Sequence, residues 1–313
     1  MPDNAGMQPT SAIRSDSDQA AQRGHTRAID HYENFPVASL LCPPALRGPI
    51  ASLYHFARTA DDLADEGEVS TEQRISDLAQ YRNDLLAAYN WAQSAETSMA
   101  NLASISTRWP EVFVTLARTL RSHKLPLPYL LDLLDAFTQD VRNTSQGSVY
   151  ETQDELLDYC RRSANPVGRL LLHLYGVHDA ESLAMSDAIC TALQLINFWQ
   201  DLSVDIPRGR HYIPQDACVR FGVNRQDIAT QRLHPPLRNL IADQLTYAEQ
   251  LMLRGAALVH RVPGRAGWEL RVVVQGGLRI LRKTRALQGR SLTQRPKLKA
   301  WDVPLMLLAA ARM

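Results

Sequence analysis

Two groups of polar residues set at helical spacing constrain this chain more than any other feature. Asp61, Asp62 and Asp65 form the first, and Asn197, Asp201 and Asp205 form the second. Separations of three and four residues place such side chains on one helix face. Each group falls late in its helix: the first closes an apolar run from Ile50 and stops at Gly67, and the second stops at Pro207. A helix C-terminus carries roughly half a negative charge, so clustered carboxylates there are unfavourable by several tenths of a kcal/mol each unless cations neutralise them. Asp154 and Asp158 share the spacing but lie where a helix begins, where acids are favoured, and read as an ordinary helix start. The two late groups read instead as halves of one divided metal site, the alternative for either alone being a solvated helix face. Carboxylate and amide oxygens suit Mg2+ or Mn2+, which keep waters and share ligands with substrate phosphates. The implied substrate is a diphosphate.

The remaining pattern predicts an all-α architecture. From about residue 44 apolar residues recur at helical intervals, with no alternating strand series and no fixed-period repeat. Pro43 and Pro44 open a first long helix, and Ser70 and Thr71, followed by Glu72 and Gln73, cap a second running towards Trp91. Further helices are expected over 111–122, 128–143, 154–177, 181–205, 236–261 and 265–288. The segment 207–214 places Arg208, Arg210, His211 and Tyr212 just beyond the second acid group. It reads as a lid or an ordinary turn, and arginine suits diphosphate oxygens. Residues 1–24 are polar, without the apolar stretch of a secretory signal, and read as a disordered tail; 25–290 form one helical domain and 291–313 a basic and apolar C-terminal extension.

Composition excludes several function classes. With 34 basic against 33 acidic residues the formal net charge is +1, which gives no global field for nucleic acid. Cys42, Cys160, Cys190 and Cys218 are scattered without CxxC spacing, which argues against a disulfide framework or thiolate zinc site and fits a reducing cytoplasm. The late apolar run from Val303 to Ala311 falls short of the roughly 20 residues that span a bilayer, so any membrane association is expected to be peripheral. Arg279, Arg282, Lys283, Arg285, Arg290, Arg295, Lys297 and Lys299 read as a solvated basic face, anionic lipid being the alternative.

With these motifs in view, the chain resembles the squalene and phytoene synthase family of head-to-head prenyl synthases from His31 to about residue 285. The run from Ala51 to Asp62 is similar to that family's first aspartate helix, and Gln194, Asn197, Asp201 and Asp205 to its second. Between them, Tyr159-Cys160-Arg161-Arg162-Ser163-Ala164-Asn165-Pro166-Val167-Gly168 resembles the family's central tyrosine-cysteine helix. The resemblance implies a single-domain isoprenoid synthase helical bundle whose acid helices face across a central cavity and hold magnesium against a diphosphate. By that matching Asp61 and Asp65 bind metal from one side, Asn197, Asp201 and Asp205 from the other, and Asp62 adds a contact. Arg58 and Arg210 match residues that neutralise the diphosphate. Tyr54, Tyr159 and Gln194 match positions lining the site, with His31, Tyr32 and Tyr212 as weaker matches.

The departures narrow the subtype. Gln200 stands where condensing relatives commonly carry arginine, Asn165-Pro166 replaces a small apolar stretch, and Asn34 and Pro36 lie near a serine-containing segment of those enzymes. The stretches 31–36, 163–169 and 197–201 are similar to bacterial hydroxysqualene synthases of the hopanoid route. That resemblance implies conversion of presqualene diphosphate and water to hydroxysqualene and diphosphate, with Mg2+ and without nicotinamide. Asn165 and Gln200 become candidates to position the capturing water, with a structural role for each as the alternative. Cys160, His173 and Trp199 read as core. The competing activities are condensation of two prenyl diphosphates to presqualene diphosphate or phytoene, and reductive formation of squalene. A noncatalytic prenyl-lipid-binding or assembly protein is the rival from another class.

Overall fold

Pro44 at the start of the first helix has no N–H to leave unpaired, and beyond it Ile50, Leu53, Phe56, Ala60 and Ala64 recur on one side of the helix and are buried. In the computed structural model, which describes residues 42–95 and 99–313, this helix, α1, spans Pro44–Asp65. The tail over 1–24 and His31, Tyr32, Asn34 and Pro36 lie outside the described residues. Helix α2, Thr71–Gln93, starts as its sequence predicts, with the Ser70 hydroxyl accepting from the Gln73 amide at 3.2 Å. After the short α3, Met99–Ala103, come α4, Pro110–His123, and α5, Leu127–Gln146. An aromatic knot joins three of these. Phe56 stacks on Tyr81 with ring centres 5.3 Å apart, Phe113 lies 4.7 Å from Tyr81, and the Tyr81 hydroxyl donates to the Phe56 carbonyl at 3.0 Å. Truncating Phe56, which is fully buried, would cost about 3–5 kcal/mol.

The stretch expected as one helix over 154–177 is two: α6, Gln153–Ser163, and α7, Asn165–Leu174. The break falls at Ala164, with φ −117° and ψ −47°, just ahead of Pro166, which has no N–H to continue the hydrogen-bond ladder of α6 and suits the first turn of a new helix. The next segment also divides, into α8, Ala180–Gln200, and the single turn α9, Leu202–Asp205, with Asp201 at the joint. Hydrogen bonds from the Asp201 amide to the Asn197 carbonyl and from the Asp205 amide to the Asp201 carbonyl, both 2.9 Å, carry the helical rise across it. Short helices α10, Gln215–Phe221, and α11, Arg225–Ala229, lead to α12, Pro235–Gly255, and α13, Gly264–Ala286.

Helix α8 is the central element, packed by α7, α12 and α13. Gly255 makes its approach to α12 possible: a methyl group there would run into the Met185 carbonyl and lie 3.1 Å from the Ile189 nitrogen. The segment read as an extension is tied into the same unit. It folds back so that α14, Asp302–Ala310, lies along α13. Fully buried Asp302 there accepts from Arg279 at 2.7 Å and from Lys283, and these cations hold its carboxyl well below the usual range. Among the described residues the only strand-type pairing is one bridge between Val149 and His211.

Candidate functional site

The two stripes form as helical spacing predicts. Tyr54, Arg58, Asp61 and Asp65 follow one line down α1, and Gln194, Asn197, Asp201 and Asp205 follow one line down α8 and α9. The positive charge that late-helix acids require is present as guanidinium. Arg58 lies 2.8 Å from Asp61, 2.6 Å from Asp62 and 2.9 Å from Glu66. Arg210 lies 2.6 Å from Asp65 and 3.9 Å from Asp205, so one side chain reaches both stripes. The third cation, Arg295, holds Asp201 through two bonds of 2.5 and 3.0 Å.

The segment after Asp205 brings Arg210 back. Gly209 adopts φ +76°, a left-handed conformation that glycine takes without strain, and the Arg210 amide donates to the Asp205 carbonyl at 3.0 Å. Beyond it Tyr212 stacks on Phe198 at 3.7 Å, and Tyr159 and Tyr150 lie about the same ring pair. Segment 207–214 therefore packs on the site; it is not a detached turn. Burial holds the Tyr159 and Tyr212 phenols well above their usual range and keeps them neutral.

Negative charge still exceeds positive. Desolvation, reinforced by Asp65, pushes Asp61 up to about 6 against the pull of Arg58. Desolvation pushes Asp205 up to about 7 despite Arg210, with Asp201 and Asp65 adding repulsion. Asp140 on α5 also rises to about 7, chiefly through desolvation, while accepting the Tyr159 hydroxyl at 2.5 Å. Asp61, Asp62, Asp65, Asp140, Asp201 and Asp205 thus meet the charge of four guanidinium groups, Arg58, Arg210 and Arg295 in ion pairs and Arg208 acting on Asp205 at longer range, and a hard cation would relieve the excess. Among the described residues no three His, Cys, Asp or Glu side chains are grouped so as to hold a metal ion by themselves.

Asn165 and Gln200 take structural partners. The Asn165 side-chain Oδ1 accepts from the Thr191 hydroxyl at 2.9 Å, joining the start of α7 to α8. Gln200, 3% exposed, donates its amide to the Pro296 carbonyl at 2.8 Å. The geometry therefore favours the structural alternative for both amides over water positioning. Cys160 and Trp199 are buried in the core, whereas His173 is only partly buried and meets the His123 backbone carbonyl at 2.8 Å. Asp154 lies in the first turn of α6 and Asp158 pairs with Arg161 and Arg162, in keeping with a plain helix start. Asp140 and Arg295 are the site residues that sequence reasoning missed. The rule applied to the other acids, a carboxylate in the second half of a helix, would have flagged Asp140. Nothing local distinguishes Arg295 from its basic neighbours.

Helices of this order, carrying two facing acid stripes, define an isoprenoid synthase domain. The chain belongs to the squalene/phytoene synthase family, whose model matches residues 29–302. It is 36% identical over 248 residues to the hydroxysqualene synthase of Zymomonas mobilis, an overlap covering 77% of this chain and 75% of that one. To the hydroxysqualene synthase of Rhodopseudomonas palustris it is 34% identical over 252 residues, covering 80% and 78%. The crystal structure of squalene synthase HpnC from Alicyclobacillus acidocaldarius matches with a TM-score of 0.70 at 36% identity, covering 88% of this chain and 94% of that one. A dehydrosqualene synthase in complex with ligand shares the fold at a TM-score of 0.72 and 19% identity.

Proposed function

We propose that this chain converts presqualene diphosphate and water to hydroxysqualene and diphosphate, the step that water capture contributes to a squalene and hopanoid route. The observation that carries the reading is the pair of acid stripes bridged by Arg210 and flanked by Arg58 and Arg295. Its support from relatives is the 34–36% identity to hydroxysqualene synthases over about three quarters of the chain.

The guanidinium groups of Arg58, Arg210 and Arg295 offer bidentate donors to diphosphate oxygens. When the carbon–oxygen bond breaks, its electron pair stays on the diphosphate, and these cations stabilise the charge that develops there. Mg2+, with Mn2+ as substitute, bound by Asp61, Asp62, Asp65, Asn197, Asp201 and Asp205, would add positive charge to the same leaving group. Tyr54 and Gln194, on the same stripes as the acids, contribute to the walls of the site. The cyclopropylcarbinyl cation left behind rearranges among apolar and aromatic groups, for which the packed rings of Tyr159, Phe198 and Tyr212 are the candidates, to an allylic cation. Water adds to that cation and loses a proton to the departing diphosphate, so atoms and charge balance. Water capture is redox-neutral and needs no nicotinamide, and the net change makes the enzyme a carbon–oxygen lyase. We place it in the cytoplasm, at the inner face of the membrane that receives its product.

The deciding experiment incubates purified protein separately with presqualene diphosphate and with farnesyl diphosphate, with Mg2+ and without nicotinamide, and identifies products by mass spectrometry. Hydroxysqualene from the first substrate alone is expected. Presqualene diphosphate formed from farnesyl diphosphate would replace this reading with condensation. Absence of any product from folded protein would favour a prenyl-lipid-binding role.

A further inference from the structure

Helix α14 is apolar on the side that faces away from the protein. Its inner side carries Asp302, Met306 and Ala310, and Met313 follows just beyond its end. Asp302 pairs with Arg279 and Lys283, Met306 lies against Gly276, and the Met313 sulfur accepts from Gln275 at 3.1 Å. The outer side presents Trp301, Val303, Leu305, Leu307 and Leu308, each between 49% and 63% exposed. A helix apolar all round normally lies inside a protein or a membrane. This one is on the surface, and its contiguous patch is of the kind that marks an interaction site.

The charge around the patch identifies the occupant. From residue 270 to 313 there are ten basic residues and one acid, Asp302, which is buried and paired inward. Arg282, Arg290, Lys297, Lys299 and Arg312 are exposed, and the Lys299 ammonium lies 4.7 Å from the centre of the Trp301 ring at the edge of the patch. A second copy of the chain docking on this face about a two-fold axis would bring like charges together. Anionic lipid headgroups would meet the cations while the acyl region covers the leucines. Nine residues at about 1.5 Å each make a helix of roughly 14 Å, less than half the hydrocarbon thickness, and among the described residues no helix is long and apolar enough to cross a membrane.

We propose that α14 and the basic residues beside it form a docking face for an anionic lipid bilayer, with the helix lying in the plane of the interface. The face is coupled to the acid site. The segment between α13 and α14 grips it at two successive residues, Arg295 on Asp201 and Pro296 on Gln200, immediately before Lys297 and Lys299. Use of that link to bring in a long isoprenoid and release an apolar product rests on the reaction proposed above; binding to the bilayer does not.

The test is co-sedimentation of the full chain with vesicles of phosphatidylcholine alone or of phosphatidylcholine mixed with phosphatidylglycerol. Binding to the mixed vesicles is expected, falling about tenfold or more on neutral vesicles or at high salt. The double variant Leu305→Glu/Leu308→Glu should lose it with an unchanged circular dichroism spectrum, since both positions face away from the core. Lys297→Glu/Lys299→Glu, which leaves the apolar face intact, should weaken binding to mixed vesicles selectively. Failure to bind mixed vesicles, equal binding to both compositions, or binding indifferent to both variants would overturn the proposal. So would sedimentation velocity showing a dimer that the leucine variant dissociates, without vesicle binding. Each readout is independent of turnover, so a failed product assay and a failed docking face remain distinguishable.

Discussion

Replacing Asp140 by asparagine should stabilise the protein above neutral pH and do little in acid. Desolvation first, then Asp65 and Asp61, raise this carboxyl from 3.8 to about 7, with the Tyr159 hydroxyl and Arg210 pulling the other way. Because the folded value lies above the unfolded one, the favourable contribution of the protonated group is fully present below about pH 4 and is lost as pH rises through about 7. At about 1.4 kcal/mol per unit, holding the ionised form in place costs up to about 4 kcal/mol at pH 8. The side chain keeps some solvent contact, so about 2–4 kcal/mol is the working range. Asparagine stays neutral throughout, matches the shape, and can still accept the Tyr159 hydroxyl. Thermal unfolding in chelator should therefore show the variant melting higher at pH 8, at roughly 2–4 °C per kcal/mol, with the gap shrinking by more than half at pH 5. A variant that melts at or below wild type at pH 8 would refute the reasoning. A destabilising carboxylate beside a buried tyrosine is the kind of group function retains, so turnover should fall as stability rises.

Asp61→Asn and Asp201→Asn should each remove most turnover at limiting Mg2+ while keeping the helical spectrum; near-native activity in either folded variant would exclude that residue as an essential ligand. Gln200→Ala should release the Pro296 carbonyl, costing about 1 kcal/mol, and speed proteolysis of the 293–299 segment more than it alters the hydroxysqualene fraction. A changed product distribution with unchanged proteolysis would restore Gln200 to the chemistry. Gly255→Ala should destabilise by about 1–3 kcal/mol, read as a lowered denaturation midpoint, because the new methyl group meets the backbone of α8 at the Met185 carbonyl as well as the Ile189 side chain, and the backbone cannot rotate away.

The sequence by itself determined what depends on neighbours within one turn. The cap at Ser70, the helix start at Asp154 and the alignment of Asp61 with Asp65 and of Asn197 with Asp201 and Asp205 all follow from three- and four-residue spacing, and each forms. The electrostatic demand was legible too, since acids late in a helix require a cation, but only for Arg58 was the partner local. Arg210 reaches Asp65 because a left-handed turn at Gly209 brings it back over the acids, and Arg295 reaches Asp201 from 94 residues away. Those pairings depend on how helices cross, which periodicity does not encode. The same holds for the two amides. Their types suggested water positioning, and packing gave Asn165 to Thr191 and Gln200 to Pro296, because a buried polar group takes whichever partner the crossing helices supply.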